Sequence, residues 1–181
     1  MARIPPATRE VLDPHGQEIY DRLAGPRHGL SGMYQVLMHH PDLAAHVGDL
    51  GGFFRFGSTL PGDIRELAIM ATARSLGTPF MWEKHVPFAE AEQLSSASVE
   101  AVRTGDPLTA DIPLAHKAVW ELARHIAAQE VVPPDLQALL EGEFGTQGLV
   151  EMVAVCGFYR FIATIAVSFD VPLPDAGPQP F

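Results

Sequence analysis

Apolar residues recur every three or four positions along most of this chain, and turn-forming residues interrupt the pattern at short intervals. This spacing is typical of amphipathic helices, whereas no segment shows the strict alternation of a half-buried strand. The pattern therefore predicts an all-α protein of about eight or nine helices. The predicted helical segments are Pro14–Leu23, Met33–Met38, Asp42–Phe56, Pro61–Arg74, Phe80–Glu92, Ser95–Val102, Asp111–Gln129, Asp135–Phe144 and Leu149–Phe169. Ser95 and Asp111 are candidate N-caps of their helices, and Gly145 and Gly148 separate the last two segments.

The chain length allows one well-buried core. With 181 residues, 47% of them hydrophobic, a single domain is the expected organisation. We expect that domain to span residues 1–181, with a proline-rich arm at 1–13 and a proline-rich tail at 170–181.

The segment Leu60–Glu100 predicts two antiparallel helices joined by a tight turn. Pro61 and Asp63 suit a first helical turn, and Gly77 suits a left-handed C-cap. Glu66 lies on the first helix and His85 on the second. They stand at comparable distances from the turn, so the two side chains are placed to meet across the pair.

His85 is the strongest candidate for chemistry, because imidazole is well matched to proton transfer near neutral pH. Glu66 would orient it, stabilise its charged form or act as a base. Two other interpretations remain open: His85 is a core histidine with a structural partner, or Glu66 is a surface acid paired with Arg65 or Arg74.

Aromatic and basic residues near the turn are candidates for substrate binding. Phe80 and Trp82 are placed to wall an apolar pocket, or to pack in the core. Arg65, Arg74 and Arg160 are possible clamps for a carboxylate, since a guanidinium binds one in a bidentate fork. Each arginine has the alternative of an internal ion pair.

Composition excludes several classes of function. A net charge of −10 argues against nucleic-acid binding, and one cysteine, Cys156, excludes a disulfide or a CxxC pair within the chain. The apolar segment Met152–Phe169 is interrupted by Arg160, so we expect a buried helix of a soluble oligomer and no membrane partner. The N-terminus lacks an apolar signal region, which favours the cytoplasm. No metal-ligand spacing or phosphate-binding loop is present, so we expect no metal and no cofactor.

The central segment resembles the carboxymuconolactone decarboxylase and alkylhydroperoxidase-D-like superfamily. In that family an Arg-Glu pair on one helix precedes an aromatic-rich turn, then a Trp and a His on the next helix. Here the resemblance is carried by LPGDIRELAIMATAR and FMWEKHVPFAEAEQLSSASVEAV. The flanks SGMYQVLMHHPDLAAHVGDLGGFFRF and GLVEMVAVCGFYRFIATIAVSFDVPLP resemble a long-chain branch of it. Membership implies an all-α subunit in trimers or hexamers with pockets near subunit interfaces.

The chain departs from the family's motifs at two positions. Glu66 and His85 match the family's acid and histidine, but Thr78 and Met81 stand where the peroxidase branch has its two cysteines. Thiol peroxidase chemistry is therefore excluded, because the thiolate is the nucleophile. Met81 also replaces the usual Glu of the decarboxylase branch, which favours a more apolar substrate.

Together these observations predict a cofactor-independent enzyme acting on a small organic acid, lactone or enolisable carbonyl compound. Its reaction would be a decarboxylation, isomerisation, dehydration or cyclisation. His85 and Glu66 would be catalytic, and the predicted substrate-binding residues are Arg65, Arg74, Trp82, Met81 and Phe80. The alternative is a non-catalytic or ligand-binding member of the family in which Glu66 and His85 form a structural pair.

Overall fold

The computed structural model describes residues 3–172 and 180–181, and within them the chain is helical without a strand. The all-α prediction and the predicted number of helices are confirmed for this part of the chain. The eight α-helices are α1 (Pro14–Ala24), α2 (Met33–Leu37), α3 (Pro41–Gly52), α4 (Gly62–Ser75), α5 (Pro79–Ala91), α6 (Ser96–Thr104), α7 (Leu114–Ala128) and α8 (Pro134–Ser168).

Shorter helical turns lie outside these elements. A 3-10 turn at Arg9–Val11 falls in the predicted arm, and another at Gly25–Arg27 follows α1. The helix predicted to run to Phe56 ends at Gly52 and continues as a π-helical turn, Phe53–Gly57. Residues 173–179 of the predicted tail lie outside the described residues.

The capping predictions are met at α6 and not at α7. Ser95 Oγ accepts a hydrogen bond from the Ser98 N–H at 3.2 Å, as expected of an N-cap. The prediction of Asp111 as a cap was wrong, because α7 begins at Leu114 with Pro113 at its N-cap. An N-cap side chain reaches only the first turn, and Asp111 precedes that position by two residues.

α8 merges the two helices predicted after Pro133. Gly145 has φ 71° and ψ 168°, so the predicted break occurs there as a kink, whereas Gly148 is helical. Among the described residues, α8 is the one helix long and apolar enough to cross a membrane. The core helix of a soluble protein meets the same criterion, so this is weak evidence for a membrane span.

The described residues form two compact units, and the single domain predicted over 1–181 stays a prediction. Residues 3–57 and 164–172 form the first unit, in which α1 packs against α3. Residues 58–163 and 180–181 form the second unit.

α4 is the central helix of the second unit. It packs against α5, α6 and α7, and ten consecutive residues, Ile64–Ala73, are buried. A helix buried on all sides needs no polar face. Consequently Arg65 and Glu66, which are charged, lie in the interior of this unit and must find partners there.

Candidate active site on α4 and α5

The turn between α4 and α5 brings Glu66 and His85 together. Gly77 has φ 59°, a left-handed conformation that favours glycine, and Pro79 starts α5 at a position where its missing N–H costs little. The Glu66 Oε2 atom lies 2.7 Å from His85 Nδ1. The contact that the sequence predicted between these side chains is therefore present.

The pair is largely shielded from solvent. The Glu66 side chain is 5% exposed and that of His85 is 12% exposed. When Glu66 is ionised it accepts a hydrogen bond from Nδ1–H, and in that tautomer Nε2 of the neutral imidazole is an acceptor. Among the described residues, Nε2 has no hydrogen-bond partner. The pair thus presents one nitrogen that can take a proton.

Arg65 binds the second carboxylate oxygen of Glu66, the one that does not contact His85. Its Nε donates to Glu66 Oε1 at 3.3 Å, and its Nη2 donates to Glu92 Oε1 at 2.7 Å. Burial alone would lower the pKa of Arg65, but the ion pairs with Glu92 and Glu66 raise it overall. Arg65 is thus permanently charged and bound by two carboxylates, a geometry suited to orienting Glu66.

Glu151 on α8 adds a further carboxylate near this network. It is buried and accepts hydrogen bonds from the Thr59 N–H at 3.0 Å and the Thr59 hydroxyl at 2.5 Å. Burial would raise the pKa of Glu151, but hydrogen bonds from Ser58 and Thr59, together with the Arg65 charge, lower it. Glu151 therefore stays ionised and anchors α8 to the segment before α4.

Two aromatic rings pack edge-on against the His85 imidazole. The ring centroid of Tyr159 on α8 lies 4.9 Å from that of His85 at an interplanar angle of 87°, and the Phe88 ring lies at 5.5 Å. Phe88 follows His85 by three residues, so helical spacing places both on one face. Sequence reasoning did not identify Tyr159 as a site residue, because nothing in its apolar helix indicates its partner. The structure adds it to the site.

The predicted apolar wall divides into buried and half-buried residues. Met81 and Trp82 are each 2% exposed, and Phe80 is half-buried. Trp82 packs edge-on against Phe181, with ring centroids 5.4 Å apart. Thr78, like Met81, is buried. The role of Phe80, Met81 and Trp82 in binding a substrate stays a prediction.

Arg74 lies in a different part of the second unit. It follows Glu66 by eight residues, about 12 Å along the helix axis. Its Nε donates to the Arg103 carbonyl at 2.9 Å, and its guanidinium lies over the Phe181 ring. It lines a cleft of about 380 Å³ together with Ser75, Gly105, Trp120, Arg124, Ala127 and Ala128. These contacts place its guanidinium away from the Glu66–His85 pair.

Cys156 is unsuited to redox chemistry. It is fully buried, and burial raises the pKa of its thiol to about 11. The thiol therefore stays protonated near neutral pH, and its Sγ lies 3.9 Å from the Ala68 carbonyl oxygen. The described residues contain no group of three His, Cys, Asp or Glu side chains placed to hold a metal ion.

Solved structures share this arrangement of helices. The alkylhydroperoxidase AhpD core of an uncharacterized peroxidase-related protein from Ralstonia eutropha JMP134 aligns with a TM-score of 0.79 at 18% identity, over 96% of this chain and 93% of that chain. The debrominase Bmp8 aligns in its apo form with a TM-score of 0.77 at 16% identity, over 97% of this chain and 92% of the Bmp8 chain. A cysteine-to-alanine variant of Bmp8 in complex with 2,3,4-tribromopyrrole aligns with a TM-score of 0.78 at 15% identity, over 99% of this chain and 96% of the Bmp8 chain.

These likenesses show that the chain has the AhpD-like helical fold, the fold of the superfamily that its sequence resembles. No protein-family model matches the chain, and no curated protein matches it. Because the identities are 15–18%, the comparison carries the fold and leaves the chemistry to the residues of this chain.

Proposed function

We propose that this AhpD-like chain is a cofactor-independent enzyme that moves a proton to or from carbon in a small organic acid, lactone or enolisable carbonyl compound. The observation that carries the proposal is the shielded 2.7 Å contact between Glu66 Oε2 and His85 Nδ1, with Nε2 of His85 left without a partner among the described residues. Decarboxylation, isomerisation, dehydration and cyclisation all use such a step.

His85 acts as the general base and then as the general acid. Nε2 takes a proton from a carbon next to a carbonyl group, and the electrons of the broken C–H bond move onto the carbonyl oxygen as an enolate. The resulting imidazolium is stabilised by the Glu66 carboxylate on Nδ1. Once the imidazolium has exchanged its proton with solvent, delivery to the same carbon gives hydrogen exchange, whereas delivery of a proton to another carbon gives isomerisation.

Arg65 is best assigned as a positioning residue. Its guanidinium already binds Glu66 and Glu92, so it holds the base-orienting carboxylate in place. This assignment replaces the direct substrate contact considered from the sequence. Arg74, about 12 Å along α4, is assigned no part in the proton transfer. Met81, Phe80 and Trp82 remain the proposed apolar wall.

The similar structures support a small-molecule site in this fold. Bmp8 is a debrominase and has been crystallised with 2,3,4-tribromopyrrole, a small aromatic ring. A thiol-dependent reaction is disfavoured for this chain, because its single cysteine is buried and protonated. The proposed enzyme needs no metal or cofactor. The trimer or hexamer and the cytoplasmic location remain predictions.

The test is exchange of carbon-bound hydrogen for deuterium, followed by NMR in deuterated water. A panel of β-keto acids, unsaturated lactones and enolisable ketones serves as substrates, because exchange reports proton transfer before the product is known. We expect His85→Gln to slow exchange by about 100-fold or more, and Glu66→Gln by roughly 10- to 100-fold.

The control variant is His46→Gln, which changes an exposed histidine on α3 and should exchange at the wild-type rate. Thermal unfolding of each variant separates lost chemistry from lost structure. If the panel shows no exchange above buffer, and His85→Gln and Glu66→Gln only lower the melting temperature, then the pair is structural and the non-catalytic alternative is correct.

A further inference from the structure

The cleft where α4 and α7 end has no part in the proposed proton transfer. Its volume of about 380 Å³ lies within the range of small-molecule sites. Arg74 of α4 and Arg124 of α7 both line it. The chain has 12 basic residues against 22 acidic ones, so two arginines at one cleft reverse the overall charge locally. This reversal favours a negatively charged ligand.

The Arg74 guanidinium is held in place with donors to spare. Its Nε donates to the Arg103 carbonyl at 2.9 Å, and its guanidinium carbon lies 5.0 Å from the centroid of the Phe181 ring. A Cβ atom at Gly105 would lie 2.9 Å from Nη2, so glycine there leaves room for the guanidinium. Among the described residues, Nη1 and Nη2 have no hydrogen-bond partner. Arg74 is therefore preorganised to bind an acceptor.

Arg124 and Ser75 supply further donors. Arg124 Nη1 contacts Glu121 at 3.1 Å, but the Arg124 side chain is 53% exposed, and an exposed ion pair of this kind is weak. The Ser75 hydroxyl oxygen also lines the cleft, is shielded from solvent and has no hydrogen-bond partner among the described residues. Buried polar groups normally have partners, and an acceptor in the cleft would supply one for Ser75.

Backbone carbonyl groups around the cleft do not balance these donors. The carbonyls of residues 72–74 in α4 accept hydrogen bonds from the N–H groups of residues 76–78. In the same way, the carbonyls of residues 125 and 126 in α7 accept from residues 130 and 129. Because these acceptors are occupied, the cleft offers mainly donors. A carboxylate matches them, since a guanidinium binds one in a bidentate fork.

The rest of the cleft is apolar. Trp120 is 6% exposed, and its indole lines the cleft together with the methyl groups of Ala127 and Ala128. Small-molecule sites combine such apolar walls with a few charged or polar groups that fix orientation. An inorganic anion would leave the indole and the methyl groups uncovered, whereas a flat ring would cover them.

We propose that this cleft binds a small aromatic carboxylate, with its carboxylate at Arg74 and Arg124 and its ring along Trp120. Arg74 is about 12 Å along α4 from Glu66, so this is a binding site separate from the candidate active site. The proposal does not depend on the proposed proton transfer.

The first test is isothermal titration calorimetry of the full chain with sodium 2-naphthoate. We expect the wild type to bind it and Arg124→Gln to bind it about 10-fold or more weakly, because a charged hydrogen-bond donor is lost. Arg124 is exposed, so its replacement leaves the fold intact. The matched control is Arg22→Gln, which removes the same charge from an exposed position on α1 and should bind like the wild type.

The second test separates the shape of the cleft from its charge. Ala128→Phe fills the cleft from an exposed position without changing the charge, and should weaken 2-naphthoate binding by about 10-fold or more. We expect 2-naphthamide, which has the ring without the charge, to bind about 10-fold or more weakly than 2-naphthoate. The same holds for inorganic phosphate, which has the charge without the ring.

A further variant distinguishes the two sites. His85→Gln should bind 2-naphthoate like the wild type, and loss of binding there would place the compound at the candidate active site instead. The proposal is also overturned if 2-naphthoate does not bind at millimolar concentration, or if Arg124→Gln and Ala128→Phe bind it like the wild type. Equal binding of phosphate would contradict it too, since the cleft would then recognise charge alone.

Discussion

At the scale of single residues, His85 and His116 are mainly buried histidines that differ in what holds the imidazole. His85 Nδ1 meets the Glu66 carboxylate, whereas His116 Nδ1 lies 2.7 Å from the Ser98 hydroxyl oxygen, and His116 Nε2 lies 3.9 Å from Asp63. Burial lowers the pKa of His116, and Asp63 offsets only part of that effect. His116 is therefore a neutral structural histidine, in contrast to the proposed base His85.

This difference makes protein stability depend on His116 at mildly acidic pH. In the unfolded chain His116 has its ordinary pKa of 6.5, so below that pH the unfolded state binds more protons than the folded state. Stability is thus fully present above pH 6.5 and is lost as the pH falls through the lowered folded pKa. The slope contributed by this one group is at most about 1.4 kcal/mol per pH unit.

The measurement is the free energy of unfolding in urea at pH 7, 6 and 5 for the wild type and for His116→Gln. We expect the wild type to lose more stability on acidification than the variant does. Equal losses in the two proteins would show that His116 is not held neutral by burial.

At the scale of elements, the start of α4 and the end of α5 approach closely at Gly62. A Cβ atom at Gly62 would lie 1.9 Å from Glu92 Oε2, so a larger residue must displace that carboxylate. Glu92 is the second partner of Arg65, which in turn holds Glu66. The absence of a side chain at Gly62 therefore supports the ion-pair network of the candidate site.

A double-mutant cycle tests this contact. Gly62→Ala should lower the free energy of unfolding by about 1 kcal/mol, because it moves Glu92 away from Arg65. In a Glu92→Ala background the same substitution should be neutral or slightly stabilising, since alanine favours helices and the obstacle is gone. Urea unfolding of the wild type, the two single variants and the double variant gives the coupling free energy between positions 62 and 92. Equal effects in both backgrounds would contradict the close approach.

Local sequence signals were sufficient for most helix boundaries. Ser95, Gly77 and Gly145 act through their own turn chemistry, so a single sequence reveals them. The Glu66–His85 contact could also be predicted from the sequence, because a short turn between two helices fixes which positions face each other. Asp111 was misjudged because several polar and proline residues precede α7, and only the backbone shows which one lies at its start.

Contacts between segments far apart in the chain could not be predicted in the same way. Tyr159 reaches His85 from a helix more than seventy positions later in the chain, and no periodicity encodes that pairing. Arg74 was grouped with the site as a basic residue near the turn that joins the helices of Glu66 and His85. The helical rise of 1.5 Å per residue already separates Arg74 from Glu66 by about 12 Å. Its actual partners, the Arg103 carbonyl and Phe181, are long-range contacts.

At the scale of the whole molecule, the fold is retained although most of the sequence differs. The AhpD core and Bmp8 structures match this chain with TM-scores of 0.77–0.79 at 15–18% identity. In this chain the cysteine positions of the peroxidase motif hold Thr78 and Met81, and the one cysteine present is buried. The acid and histidine positions, Glu66 and His85, are retained in contact. The proposed acid–base chemistry therefore depends on Glu66 and His85 and on no thiol.

The central claim is that Glu66 and His85 act as one catalytic unit, and the most direct measurement is hydrogen–deuterium exchange with single and double variants. On the substrate that exchanges fastest, His85→Gln should remove nearly all of the rate enhancement. The double variant with Glu66→Gln should then be no slower than His85→Gln by more than about threefold, because Glu66 acts only through His85. If His85→Gln exchanges as fast as the wild type, or if the two losses multiply in the double variant, the account is contradicted.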